Sequence, residues 1–378
     1  MKVPFARPYL RGDEADAVAE VIASGWVSQG PRVREFEVAF AGRVGAADAV
    51  AVSNCTTALH LALHVSGVGP GDEVVVPSMS FVATANAVWH CGATPVFADV
   101  DPRTFNLDPD AAERAITPAT KAIMPVHQLG LPADMDRFLG LADRYGVAIV
   151  EDAACAVGAR YRSRPVGSLG PLACFSLHPR KVITTGEGGM IAVQDPATAG
   201  RLRRLRQHGM DVSDLARHRA RDVVVETYRE RGWNYRMTDM QAALGLRQLE
   251  ALDDILAQRR RLAERYTAAV ERLPFVEPPY DPGYAERTWQ SYAVTLNVDA
   301  PMDRTTLMRL LLLDGVPTRR GVMAIHREPA YGGCSGDLPH TDAASERSLM
   351  LPLFAGMSDE QQDHVIGALA RHLAAVPA

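Results

Sequence analysis

The chain has 378 residues, of which 47% are hydrophobic and 22% charged, with a formal net charge of −5. That composition excludes a mainly disordered chain, which would be poor in apolar residues and rich in one sign of charge. The mild acidity argues against nucleic acid as the main partner, yet allows a small anion in a local pocket. No apolar run reaches the roughly 18–20 residues of a membrane helix. The opening MKVPFARPYLRGDE turns polar too soon for a signal peptide. Five cysteines without a CxxC pair support neither a disulfide framework nor a zinc site. The expectation is a cytoplasmic protein with no metal and no membrane partner.

At roughly 150 residues per domain, two units are expected. The first 45 residues read as a lead-in and two helices. Asp13–Ala23 is amphipathic and stops at Gly25, and Pro31 opens a run over Val33–Arg43. GWVSQGP between them is a loop by composition. Short apolar strands then alternate with helices. The strands are Val50–Ser53, Glu73–Pro77, Pro95–Asp99, Ala122–Pro125 and Val147–Glu151, and the helices include Thr56–Val65 and Phe81–Cys91. This alternation predicts an α/β fold with a mainly parallel sheet. Ligands of such sheets bind beyond the carboxyl ends of the strands, where Ser53, His127, Asp152 and Ser176 fall. After Met240 the pattern is helical over Gln241–Arg272. A strand (Ser291–Asn297), a helix (Arg304–Asp314) and a terminal helix from Asp359 follow. The expected division is a large domain over 1–245, with its lead-in 1–30, and a smaller α+β domain over 246–378.

Three segments carry chemistry. In CFSLHPRKVITTGEGGM, Lys181 is flanked by Val182 and Ile183. Desolvation there would lower its pKa and make it a nucleophile toward carbonyls. In VEDAACAVG, Asp152 ends a buried strand, where a carboxylate needs a cationic partner unless it caps a helix. In VSNCTTALHLAL, a strand feeds a helix whose first turn is small and hydroxylated. Its free N–H groups suit a phosphate, and plain capping by Ser53 or Thr56 is the alternative. An aldehyde-binding lysine, a carboxylate for a pyridinium nitrogen and a phosphate cradle are together what pyridoxal phosphate requires.

With these segments the sequence resembles the DegT/DnrJ/EryC1/StrS sugar aminotransferases, pyridoxal-phosphate enzymes of the aspartate-aminotransferase superfamily. GWVSQGPRVREFE, PSMSFVATANAV, MPVHQLGLPADMD, GWNYRMTDMQAALGLRQL and SERSLMLPLFAGMSDEQ extend the likeness over nearly the whole chain. The resemblance implies a type I pyridoxal-phosphate transferase fold with Lys181 as the residue that holds the cofactor and shuttles the proton. It implies that Asp152 pairs with the pyridine nitrogen and that Phe81 stacks on the ring. Thr56, Thr57 and Ser176 would contact the phosphate, with Asn234 reaching it from a second subunit of a homodimer. Cys155 would stand near the phenolic oxygen, where many relatives carry Gln or His, and a thiol is a weaker donor. Trp26, Ser28, Gln29, His178, His326 and Tyr331 would contact substrate. The implied reaction moves an amino group from glutamate or glutamine to a nucleotide-linked 3- or 4-keto-deoxysugar. A keto-cyclitol acceptor, a sugar dehydratase and a non-catalytic sensor keeping the fold are the other readings; the presence of Lys181 favours transamination.

The remaining candidates have plainer readings. His60 and His64 have a metal-like spacing on a helix that looks buried and offers no third ligand. His127 reads as structural and Asp134 as a helix cap. Arg217, Arg219, Arg221, Arg229 and Arg231 would suit either a diphosphate or a solvated loop.

Overall fold

The computed structural model describes residues 1–332 and 336–374. Cys334 and the Arg219 side chain lie outside the described residues. Two four-stranded sheets dominate the first two-thirds of the chain. One runs in the order Asp48–Val52, Gly189–Val193, Leu172–Ser176, Glu151–Asp152, and the other in the order Thr94–Ala98, Glu73–Pro77, Thr120–Ile123, Ala148–Ile149. They are continuous through residues 148–152. Val150 N donates to Ile123 O at 3.2 Å, Asp152 N to Pro125 O at 2.9 Å, and His127 N to Asp152 O at 3.0 Å. Every pairing is parallel except those of Gly189–Val193, which runs antiparallel to both neighbours. That strand follows a glycine-rich turn and is not evident from the sequence.

Strand periodicity divides the core between the two faces of this sheet. Val75, Ala173 and Phe175 pack with Phe36, Phe40 and Phe138 on one face. Val74, Val76 and Cys174 pack with Leu59, Leu61 and Leu63 on the other. A third core surrounds an antiparallel sheet ordered Val276–Glu277, Tyr292–Leu296, Ser348–Leu351, Arg319–Arg320. Tyr266, Tyr292, Leu307, Leu349 and Val365 fill it, and Val3 of the lead-in joins them. The sequence suggests one long helix after Met240. The chain instead forms Asp239–Glu250 and Leu252–Val270, meeting at Ala251. Leu252 and Ile255 belong to the first core, whereas Leu262, Ala263 and Tyr266 belong to the third. The second helix thus passes from one unit into the other.

The expected stop at Gly25 is an αL residue with φ 80°, ending Asp13–Ser24. The helix expected from Phe81 begins at Ala83, leaving Ser80 and Phe81 in the turn before it. Asp134 occupies the cap position of Met135–Tyr145, yet its side chain accepts no helix N–H. It accepts the Tyr161 hydroxyl at 2.6 Å instead. A buried ion network ties the second helix to the sheet edge. Glu37, 1% exposed, accepts from Arg206, from Arg203 and from the Ala51 N–H.

Burial pushes the Glu37 carboxyl up, but Arg206 and Arg203 outweigh it and hold it below the ordinary range. Its contribution to stability is therefore complete above the unfolded carboxylate pKa and is lost as pH falls through the lower folded value. Glu37→Gln should destabilise the protein by about 3 kcal/mol near neutral pH, since it leaves buried guanidinium charge uncompensated. Urea unfolding of both proteins should show this gap shrinking as the solution is acidified. A gap independent of pH would contradict the assignment.

Candidate active site

A cavity of about 950 Å³ opens beyond the carboxyl ends of the strands, walled from the side of the parallel strands and from that of the antiparallel sheet. The first side contributes Cys55, Thr56, Thr57, Asp152, Ser176 and Lys181, and the second Gln290, Arg319 and Met350. Lys181 follows the strand Leu172–Ser176 through a turn in which its N–H donates to His178 O at 2.8 Å. Val182 and Ile183, 5% and 1% exposed, anchor it in the core. Its Nζ donates to Cys155 Sγ at 3.2 Å. The sequence expectation for its pKa needs correction. Burial does push the ammonium down, but Cys155, Cys55 and Asp152 pull it up, and the net direction among these protein groups is upward. The residues beside Lys181 in sequence reveal the burial, whereas the opposing groups arrive from other segments of the chain.

Asp152 is 5% exposed. Its Oδ2 accepts from the Thr84 hydroxyl at 2.8 Å and its Oδ1 from Ala154 N at 3.2 Å. Among the described residues no cationic side chain is paired with it. A buried carboxylate that lines a cavity without a cation partner fits a protonated ring nitrogen.

The phosphate end is equally well prepared. The cap of Cys55–Val65 is Asn54, not Ser53 or Thr56: its side chain accepts from Thr57 N at 3.0 Å. The Thr57 hydroxyl donates back to Asn54 O at 2.8 Å. Both Thr57 donors are therefore engaged in the cap, although the residue lines the cavity. The N–H groups of Cys55 and Thr56, and the hydroxyls of Thr56 and Ser176, have no acceptor among the described residues. Gly189 lets this turn lie against the sheet, since a Cβ there would sit 2.3 Å from Asn54 O. Free amides at a helix start beside two free hydroxyls form an anion cradle. Phe81, 59% exposed, stands at the cavity wall. These residues fit pyridoxal 5′-phosphate: Lys181 for its carbonyl, Asp152 for its ring nitrogen, and the Cys55–Thr56 turn with Ser176 for its phosphate.

His178 also lines the cavity. Burial, the largest influence, holds its pKa below the ordinary value, and its Nδ1 accepts from Arg180 N at 3.2 Å. The other substrate candidates do not line this cavity. Trp26 makes an edge contact with His218 at 5.1 Å. The Ser28 carbonyl accepts from Asp239 N at 2.8 Å, and buried Gln29 reaches Gln207 at 3.4 Å. His326 lies between the Ser78 hydroxyl at 2.6 Å and Asp342 at 3.2 Å. The Tyr331 hydroxyl donates to Asn86 at 2.7 Å. Asn234 is exposed and outside the cavity, although Tyr235 beside it lines the wall.

The histidines of Cys55–Val65 pack against Trp233, His60 at 4.7 Å and His64 at 5.1 Å between ring centroids. Burial takes His60 down to about 4. His127 is wholly buried and meets Glu151 at 2.9 Å. Of the arginines in the 210–231 segment, Arg217 is 3.7 Å from Glu226 and Arg229 is 3.6 Å from Asp211. Sequence reading missed Thr84, Gln290 and Arg319.

Comparison with known proteins identifies the family. Residues 8–370 match the sequence profile of the DegT/DnrJ/EryC1/StrS aminotransferase family. GDP-perosamine synthase of Caulobacter vibrioides is 43% identical over 371 residues, covering 97% of each chain. The aminotransferase TlmJ from Streptoalloteichus hindustanus superimposes with a TM-score of 0.92 at 37% identity, covering all of both chains. The PLP-form of Spr1654 from Streptococcus pneumoniae does so with a TM-score of 0.92 at 28% identity, again over all of both chains. The chain belongs to the DegT/DnrJ/EryC1/StrS family and is a pyridoxal-phosphate-dependent aminotransferase.

Proposed function

We propose that the enzyme moves an amino group from glutamate or glutamine to a nucleotide-linked 3- or 4-keto-6-deoxysugar. The observation that carries this reading is the relative of 43% identity, whose name specifies a GDP-linked sugar amine. The cavity adds support, because Arg180, Arg319 and Arg320 place cationic groups along its wall, where an anionic nucleotide would be favoured. When bound, the cofactor supplies an electron-accepting ring and a carbonyl that carries the amino group between substrates.

The chain's own residues do the rest. The Lys181 amine takes the proton from the donor's α-carbon and returns one to the acceptor carbon. Asp152 holds a proton on the ring nitrogen. Phe81 covers a ring face, and the amides of Cys55 and Thr56 hold the phosphate. A homodimer belongs to the same proposal, with Asn234 and the Trp26–Gln29 loop serving a neighbouring subunit's site. Exposed Trp89, Val223, Val225 and Tyr228 support it as apolar surface available for burial. Sedimentation of the fully active enzyme as a monomer would contradict the dimer.

The acceptor is tested by mixing the aminated cofactor form with a panel of keto sugar nucleotides and a free keto-cyclitol. Return of the cofactor's aldehyde absorbance with a sugar nucleotide, and a product mass showing amine gained, is the expected result. Reaction with the free cyclitol alone, or a product that has only lost oxygen, would refute the proposal.

A further inference from the structure

The Asp152 carboxylate accepts from one hydroxyl, that of Thr84, which does not line the cavity. Thr84 is fully buried and donates to Asp152 Oδ2 at 2.8 Å. A threonine hydroxyl has one proton, so the 2.7 Å bond between Ser80 Oγ and Thr84 Oγ1 must be donated by Ser80. The resulting chain runs one way, from Ser80 through Thr84 to Asp152. Ser80 is 1% exposed and lines the cavity wall, with its own acceptor sites still free. Ala154 N fixes the other carboxylate oxygen at 3.2 Å.

We propose that Thr84 is a positioning residue that aims Asp152 at the cofactor's ring nitrogen, with Ser80 selecting the Thr84 rotamer. The terminal torsion of an aspartate is soft, so an ungripped carboxylate would rotate. A helical threonine divides between two χ1 states, one of which bonds a backbone carbonyl of the preceding turn. The Ser80 bond favours the state that faces Asp152. Phe81 lies between these two hydroxyl residues in sequence, so five consecutive residues, running from the turn into the start of the helix Ala83–His90, present the aromatic wall and orient the buried acid. The turn is itself pinned from the smaller unit, where Ile325 N donates to Ser78 O at 2.8 Å. This role does not depend on the identity of the acceptor sugar.

Thr84→Val keeps the shape and removes the donor; Thr84→Ser keeps the donor. With full-length enzyme, Thr84→Val should weaken pyridoxal phosphate binding about tenfold and lower kcat about 10- to 100-fold, with the KM for glutamate moving less than about threefold. The visible band of the bound cofactor should shift in wavelength or in its pH dependence. Thr84→Ser should restore both parameters to within about threefold. Wild-type affinity, band and kcat in Thr84→Val would overturn the proposal. So would a Thr84→Ser variant as impaired as Thr84→Val, because that places the effect in packing. If Thr84→Val fails to fold, Ser80→Ala decides: a shifted band with lower kcat supports the grip, and an unchanged enzyme refutes it.

Discussion

Lys181→Ala is expected to slow amino transfer by about four orders of magnitude while leaving a folded protein. The chain contains three lysines, Lys2, Lys121 and Lys181, and only Lys181 lines the cavity. A guanidinium cannot replace a nucleophilic amine. In the proposed mechanism both the attachment of the cofactor and the proton transfer at the donor carbon fall on this one side chain. Its contact with Cys155 holds the amine inside the site. Loss of cofactor absorbance on adding glutamate measures the rate. Borohydride reduction of the wild-type holoenzyme should attach cofactor to the peptide carrying Lys181 and to no other lysine peptide. An alanine variant that still aminates the cofactor at near wild-type rate would remove Lys181 from the reaction.

Asp152→Asn should produce the next largest loss, about 10³-fold in kcat, by the logic of differential stabilisation. Asparagine has nearly the shape of aspartate and can still accept from Thr84, so the local fold should persist. It lacks the charge that, in the proposed mechanism, keeps the ring nitrogen protonated. Because the Cys55–Thr56 turn and Ser176 are untouched, the cofactor should still bind, within about tenfold of wild-type affinity. Titration of the apoenzyme and steady-state kinetics separate these two effects. Normal turnover by Asp152→Asn would mean that the ring nitrogen needs no anionic partner here.

The parts of this design that repeat every second residue are readable from the sequence. Val74–Val76 and the strand ending at Ser176 announce themselves as buried, and Lys181 and Asp152 stand out as charges beside apolar runs. Long-range relations are not readable in the same way. Nothing in ATANAV marks Thr84 as the partner of a carboxylate 68 residues away. Gly189–Val193 reads as the end of a glycine turn until Val52 and Ser176 flank it in the sheet. The upward shift of the Lys181 ammonium comes from Cys155, Cys55 and Asp152, each on another segment. Asn234 and Tyr235 are adjacent in the chain, yet only Tyr235 lines the cavity.

Glu151 and Asp152 are consecutive acids on one strand, and strand parity sends them opposite ways. Glu151 meets His127 and accepts from Gly170 N, deep in the interior, whereas Asp152 borders the cavity. Their assignment depends on an odd–even count begun at Ala148, where the strand is still paired with Ala122. A single uncharged residue inserted or deleted between these points would exchange the sheet faces that the two acids occupy without altering the charge. The longer glutamate would then project into the space reserved for the ring, and the shorter aspartate would fall short of His127. Indels in the segment 148–151 should therefore be far more damaging than substitutions at the same positions.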